Sequence, residues 1–292
     1  MDTQSLKAFL AVARSGSFSD AATGLHLTQP AVSKRIAALE KAVGATLFDR
    51  AARKIVLTPA GHTLLPHAES VLAQLGEARR AILDLDGRVR GPLRIAISHH
   101  LGLHKLPPLM RAFKQGHPEV DLSVQFLDSE VAHAAVMSRE CELAVVTLAP
   151  VAPEGLLLEP LWRDRLQFTA AANSPAANLT TLAELSRHPA ILPDERTFTG
   201  RLVAAQFAKA GLDLPRAMTT NYLETIKTMV EVGLGWSVLP ESLCSATLVA
   251  LPVSATHLSR ELGLVRHRSR QLSNAARAFA AHLRTEKDAE YH

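Results

Sequence analysis

Seven apolar residues, Leu64, Ala68, Val71, Leu75, Ala78, Ile82 and Leu85, follow one another at steps of four and three without a break. Such an alternation is the seam of a three-heptad coiled coil, and only a long helix presents it as one stripe. Thr58-Pro59 supplies a start, because threonine caps well and proline tolerates the first turn. The spacing therefore predicts a helix over 58–86. Two seam alanines and Gly76 make the stripe thin, and Pro66 should kink its first turns. The stripe either packs on its own domain or meets a partner helix. Unbroken alternation favours the partner, most simply a second copy of the chain.

Charge differs on the two sides of this helix. Residues 1–62 hold eight basic side chains (Lys7, Arg14, Lys34, Arg35, Lys41, Arg50, Arg53, Lys54) against four acidic ones (Asp2, Asp20, Glu40, Asp49). The remainder holds 24 of each, so the formal charge of +4 belongs to the first fifth of the chain. That asymmetry points to a polyanion partner for this end, with a solvated basic face as the plain alternative. The 47% apolar content excludes a disordered chain. Two cysteines fit a reducing compartment, and no run approaches the roughly 18 apolar residues of a membrane helix. The first residues lack the pattern of a signal peptide, so a cytoplasmic protein with no membrane partner is expected.

Within the basic region the pattern is of short helices. Leu6, Phe9, Leu10 and Ala13 lie at helical spacing until Gly16, and Ser17 and Asp20 open a second helix over about 18–25. A third begins at the cap Thr28 with Pro30 in its first turn, carries the stripe Val32, Ile36, Leu39 and Val43, and stops at Gly44. Residues 47–57 read as a two-stranded wing. In a helix–turn–helix the later helix enters the major groove with its N-terminal side chains. Here Gln29 suits an adenine edge and Ser33 either base type. Lys34, Arg35, Arg50, Arg53 and Lys54 suit phosphates, which position a protein without reading sequence.

Past a basic linker at 87–92 the pattern becomes strands interleaved with helices. Strands are expected at 93–98, 120–127 and 143–148, and near 165–171, 190–193, 215–219 and 236–239. Helices are expected at 107–114, from 129 to about 139, and near 200–210, 222–232 and 274–284. This implies α/β layers with largely parallel sheets, in two subdomains.

The motif Ala21-Ala22…Leu25…Thr28-Gln29-Pro30-Ala31-Val32-Ser33…Ile36…Leu39-Glu40…Gly44…Leu47-Phe48…Arg50…Leu57-Thr58-Pro59-Ala60-Gly61 resembles the N-terminal signature of LysR-type transcriptional regulators. Gly91-Pro92-Leu93-Arg94-Ile95, Gly116-His117-Pro118-Glu119-Val120 and the run from Val232 to Pro240 are similar to that family more loosely. The resemblance implies an α/β fold class: an N-terminal winged helix–turn–helix over 1–62, a linker and dimerisation helix over 58–87, and a periplasmic-binding-protein-like effector domain over 91–292. Its first lobe would comprise 91–161 and 268–292, its second 165–265. Thr28 and Pro30 join the DNA-contacting set on the same ground. The resemblance further implies double-stranded promoter DNA as partner, a homodimer through Leu64, Val71, Leu75 and Ile82, a homotetramer of two such dimers, and RNA polymerase as a further candidate partner.

The resemblance also implies a small, anionic effector, bound between the lobes by Ser98, His99, His100, Ser129, Thr197, Thr199, Gly200, Thr220 and Asn221. Helix N-termini at strand ends offer free N–H groups to such a ligand. Where the family often has aspartate in the strand near 142, this chain has Glu142. Imidazoles at His99, His100 and His104 suit metals, but with no cysteine or carboxylate clustered beside them no metal site is predicted. No catalytic motif appears, so no enzyme and no cofactor are expected. Cys141 and Cys244 leave a redox-responsive regulator as the alternative, beside a ligand-independent one.

Overall fold

The computed structural model describes residues 1–49, 55–253 and 258–290, with Leu83 and residues 286–290 described by backbone alone. Among the described residues, Met1–Asp86 form one compact unit and the bulk of Gly87–His292 another. No helix among them is long and apolar enough to cross a membrane.

The first unit begins with α1 (Thr3–Ser15), α2 (Phe18–Gly24) and α3 (Gln29–Val43). Each start has a polar cap: Asp2 accepts from Gln4 and Ser5 N–H, Ser17 from Asp20, and Thr28 from Ala31. Such caps contribute about 1 kcal/mol each. Gly44 ends α3 with φ +76°, a conformation glycine adopts without a steric penalty. Strands β1 (Phe48–Asp49) and β2 (Val56–Leu57) pair antiparallel as the wing's base. Helix α4 (Pro59–Leu83) follows, capped by Thr58 and continued by a short 3₁₀ turn at Asp84–Asp86. It runs on through Pro66, which denies the His62 carbonyl its helical partner. Gly61 sits so close to the wing that a Cβ there would meet the Leu47 carbonyl oxygen at 2.3 Å.

Phe9, Val12, Val32, Ile36, Leu39, Leu47 and Phe48 form this unit's core. Val43, expected on the α3 stripe, is 42% exposed, because the last turn of α3 extends beyond that core. The α4 stripe divides in two. Ala68 is buried in the winged core and Leu64, Leu65 and Leu72 pack partly against it. Val71, Leu75, Ile82 and Leu85 are exposed, Ile82 and Leu85 at 70% and 84%. The seam read as one surface thus begins as a lid on the chain's own domain, and Leu64 belongs to that part.

The second unit contains β3 (Gly91–Ile97), α5 (His99–His104), α6 (Leu106–Gly116), β4 (Val120–Phe126), α7 (Ser129–Met137), β5 (Leu143–Thr147) and the long β6 (Leu156–Ala171). The chain continues through α8 (Leu182–Leu185), β7 (Ala190–Leu192), α9 (Phe198–Lys209), β8 (Arg216–Thr219), α10 (Leu223–Glu231), β9 (Ser237–Pro240) and β10 (Leu248–Ala250). It returns on β11 (Leu258–His267) and ends in α11 (Asn274–Glu290). The main sheet has the order β10-β6-β11-β5-β3-β4, with β9 also on β6, and β7 pairs with β8. Among the described residues, the strands pair in parallel at β3–β4, β3–β5 and β7–β8, beside an isolated parallel bridge between Ala190 and Trp236. The expectation of largely parallel sheets is therefore corrected: β6 and β11 pair antiparallel with every neighbour and make the sheet mixed.

Period-two burial sorts the side chains between the two faces of the first lobe's sheet. Leu93, Ile95, Leu143 and Val145 enter the core with Phe113, Phe279 and Leu283, while Ala96, Ala144 and Val146 face Ala132 and Val136. The second lobe packs Leu166, Phe168, Val203 and Phe207 around Trp236. Two strands link the lobes. On β6, Trp162 belongs to the first core and Leu166 to the second; on β11, Leu258 belongs to the second and Leu262 to the first. The chain thus re-enters the first lobe by Leu262, earlier than the expected 265–268. Register between these strands shifts at Leu262/Gly263. The departure at Glu142 has a structural use: buried, it accepts from the Ser273 N–H at 2.6 Å and its hydroxyl at 3.1 Å, fixing the entry to α11.

Candidate DNA-reading helix and ligand cleft

Helix α3 is two-sided. Val32, Ile36 and Leu39 are buried, while Gln29, Pro30 and Lys34 are exposed and Ser33 is half-buried. Gln29 Nε2 donates to Ser33 Oγ at 3.3 Å, so amide and hydroxyl share one face a turn apart. Thr28 and Pro30 form the helix start, with Thr28 Oγ1 accepting from Ala31 N–H at 3.4 Å. Arg35 is half-buried and donates to Gln4 Oε1 at 3.4 Å, bracing α3 on α1. Arg50, Arg53 and Lys54 lie outside the described residues. In the turn before α3, His26 holds φ +54°, a left-handed conformation rare for a residue with a side chain.

The cleft of the second unit collects most of the residues expected there. Ser98, His99, His100 and Ser129 line it from one lobe, and Thr197, Thr199 and Asn221 from the other. Gly200 and Thr220 do not line it. A Cβ on Gly200 would meet the Asp194 carbonyl oxygen at 2.0 Å, so this glycine serves close packing at the start of α9. Thr220 Oγ1 accepts from Tyr222 N–H at 3.4 Å and shapes the turn into α10. The open-sided space between these residues is about 60 Å³. Ligand pockets usually span about 300–1,000 Å³, so the cleft as it stands is too narrow for a ligand of that size.

Beside Asn221, Ser129 and Thr199, the contacts that narrow the cleft come from Asp128, Glu130 and Arg260, which the sequence did not single out. Glu130 on α7 reaches across and its Oε1 accepts the Phe198 N–H at the first residue of α9. Asn221 Nδ2 donates to Asp128 Oδ2 at 2.7 Å, and Asn221 Oδ1 accepts from Asp194 N–H at 3.1 Å. Arg260 Nε donates to Asp164 Oδ2 at 2.8 Å, and its Nη1 to Thr199 Oγ1 at 2.8 Å. Ser129 Oγ accepts from Thr147 N–H at 3.2 Å, which places it as a brace as well as a lining group. His99 lies edge-on to Tyr222, with centroids 4.6 Å apart.

Burial, reinforced by the positive Arg260, pushes the His100 imidazole down to about 4. Burial also lowers His133, whose Nδ1 lies 2.7 Å from the Ser129 carbonyl and whose ring meets Phe198 edge-on at 5.3 Å. Cys141 is buried in the first lobe, and Cys244 in the second accepts a 2.7 Å hydrogen bond from Gln167 Nε2; both are free thiols. Chain distance hid the closing groups. Only the charge pattern Arg163-Asp164-Arg165, inside a strand, hinted at a buried pair.

Two family models match the chain. "Bacterial regulatory helix-turn-helix protein, lysR family" matches residues 3–62, and "LysR substrate binding domain" matches residues 86–288. The chain belongs to the LysR-type transcriptional regulators. A LysR-type regulator is a DNA-binding protein with a small-molecule effector domain and is not an enzyme. Among similar LysR-type proteins is the RuBisCO operon transcriptional regulator of Allochromatium vinosum, 31% identical over 94% of this chain and 92% of its own. An uncharacterized HTH-type transcriptional regulator of the ibpB-leuC intergenic region of Azotobacter vinelandii is 58% identical over 37% of this chain and 75% of its own. Full-length CbnR in complex with its target DNA has a similar fold, with a TM-score of 0.67 and 22% identity over 98% of this chain and 99% of that one.

Proposed function

We propose that this LysR-type regulator senses a small carboxylate in the cleft, and that the ligand takes the place of Glu130 at the N-terminus of α9. One observation carries the reading: that helix end already holds a carboxylate, delivered across the cleft by the protein itself. Free N–H groups and the helix dipole favour an anion there. A ligand of this class must widen the narrow cleft, and an effector acts only through its different affinity for open and closed forms. Reorientation of the lobes then changes the spacing of the DNA-binding pairs.

In this scheme two chains join along α4 through Val71, Leu75 and Ile82, and two such dimers form the tetramer that holds promoter DNA. RNA polymerase is a further proposed partner of the DNA-bound form. Gln29 and Ser33 read base edges, with Thr28 and Pro30 at the backbone beside them. Lys34, Arg35, Arg50, Arg53 and Lys54 hold phosphates.

A thermal-shift screen of small carboxylates against the full-length protein tests the effector class. Glu130→Gln should raise affinity for the hit about fivefold to tenfold, because a neutral amide is held roughly 1 kcal/mol less firmly than a carboxylate. An unchanged or weakened affinity in Glu130→Gln would remove the displacement mechanism. An effector that binds yet leaves both DNase footprint and DNA bend unaltered would remove the lobe-reorientation step.

A further inference from the structure

Helix α5 places His100 and His104 four residues apart, hence on one face. Their ring centroids are 5.1 Å apart. Glu224, in the first turn of α10 on the other lobe, brings its Oε1 to 2.6 Å from His104 Nε2 and 3.7 Å from His100 Nδ1. The three ligand atoms all lie within 4.8 Å of one another. His100 is only 11% exposed, and its Nδ1 is a buried nitrogen with no hydrogen-bond partner among the described residues. Buried polar atoms almost always have a partner, so one left over asks what completes it.

We propose that His100, His104 and Glu224 form a binding site for a divalent first-row metal ion of the zinc class, with ligands drawn from both lobes. Two imidazoles and one carboxylate are the donor set of open zinc sites, which keep a fourth position for water or a ligand. Nitrogen donors select zinc, cobalt or nickel over magnesium and calcium, which prefer oxygen. Ligand bonds of about 2.1 Å in a tetrahedron separate donors by roughly 3.4 Å. The 3.7 Å pair is already near that value, and the 2.6 Å pair needs to open by less than 1 Å. His104 is 43% exposed and gives the ion a route in. Since Glu224 comes from the opposite lobe, the ion adds a coordinate bond across the cleft and favours its shut form. His100 also lines the cleft beside the α9 N-terminus, but the metal titration is made without effector, so its failure and the failure of the carboxylate reading are distinguishable.

The test uses untagged full-length protein stripped with a chelator and titrated without effector or DNA. Cobalt(II) should bind at one equivalent per chain with the visible bands of a low-coordinate site, zinc should displace it, and magnesium should not compete. Zinc should raise the Tm of the stripped protein. His104→Gln and Glu224→Gln should each lower affinity at least about tenfold and abolish that Tm rise, whereas His67→Gln, on exposed α4, should change neither. His104 is exposed enough that its variant keeps the fold, and the unliganded Tm checks this. Absence of a saturable cobalt site, or a site that survives both substitutions, overturns the proposal.

Discussion

The two ends of this regulator hold their working groups in opposite states. On α3, Gln29 and Lys34 are exposed within six residues of one another, on a helix whose other face is locked into a core. In the cleft, Asp128, Glu130, Asn221 and Arg260 are already bonded, to partners as far as 93 residues away. A surface that reads a stiff polymer benefits from being preformed, because ordering side chains on binding costs affinity. A surface that switches benefits from being self-satisfied, because a ligand must then exchange one set of bonds for another, and that exchange moves the lobes.

The sharpest way to break this contrast is at Arg260. Its pair with Asp164 is nine-tenths buried on both sides, and removing one partner of such a pair costs about 3–5 kcal/mol. Arg260→Ala should lose that much in urea unfolding of the full-length protein, while Arg260→Met with Asp164→Leu recovers most of it. A loss below about 1 kcal/mol would mean that this pair does not clamp β6 to β11 where the two strands cross between the lobes.

Next in size is the DNA side. Gln29→Ala should cost about 1–3 kcal/mol on specific sites and little on random DNA. Lys34→Ala should weaken both alike and reduce the salt slope by about 0.9. Equal losses for Gln29→Ala on both DNAs would remove its reading role.

The third effect is acid sensitivity. His133 is held neutral by burial, below the 6.5 of a free imidazole. The unfolded chain therefore binds a proton that the folded one refuses, and stability present above about pH 6.5 is lost as pH falls below it. His100, pushed to about 4, adds in the same direction and over a wider interval. His133→Gln should flatten the fall in Tm between pH 6.5 and 5, and an identical pH profile would show that the ring does not titrate on unfolding.

The smallest effect tests the preformed helix start. His26→Gly should relieve about 1–2 kcal/mol of left-handed strain and return about 0.5–1 kcal/mol as unfolded-state entropy. The net is a gain between zero and about 1.5 kcal/mol, read as a rise in Tm. A fall in Tm would show that the imidazole contributes more than its strain.

Legibility in the sequence follows the same contrast. The winged unit announces itself because caps, stripe and stop fall within a few turns: Thr28, Pro30 and Gly44 bracket α3 as the spacing predicts. The cleft was half legible. The family resemblance marked seven lining positions, five of them Ser, Thr or Asn at or near helix starts. Glu130 and Arg260 were not legible, because their partners Phe198 and Thr199 lie in another lobe and no local period links them. The carboxylate missing beside His100 and His104 is present after all, 120 residues on. Strand β6 was read short and β11 was not read as a strand, because Arg163, Asp164, Arg260 and Glu261 interrupt the apolar alternation where the chain crosses between lobes. The α4 seam erred in the other direction. A uniform period concealed a change of audience from the chain's own core to open surface.

The crossing by β6 and β11 has one more consequence. Leu166 pairs directly with Leu258, so the second lobe departs and returns on neighbouring rungs of one ladder. Everything between is an interchangeable cassette, since an insert whose ends lie side by side can be replaced without disturbing its host. A chimera that keeps residues up to Trp162 and from Leu262 onward, with a foreign second lobe between, should retain the first-lobe core intact. New ligand specificities can therefore arise here by swapping a module rather than by rebuilding a protein.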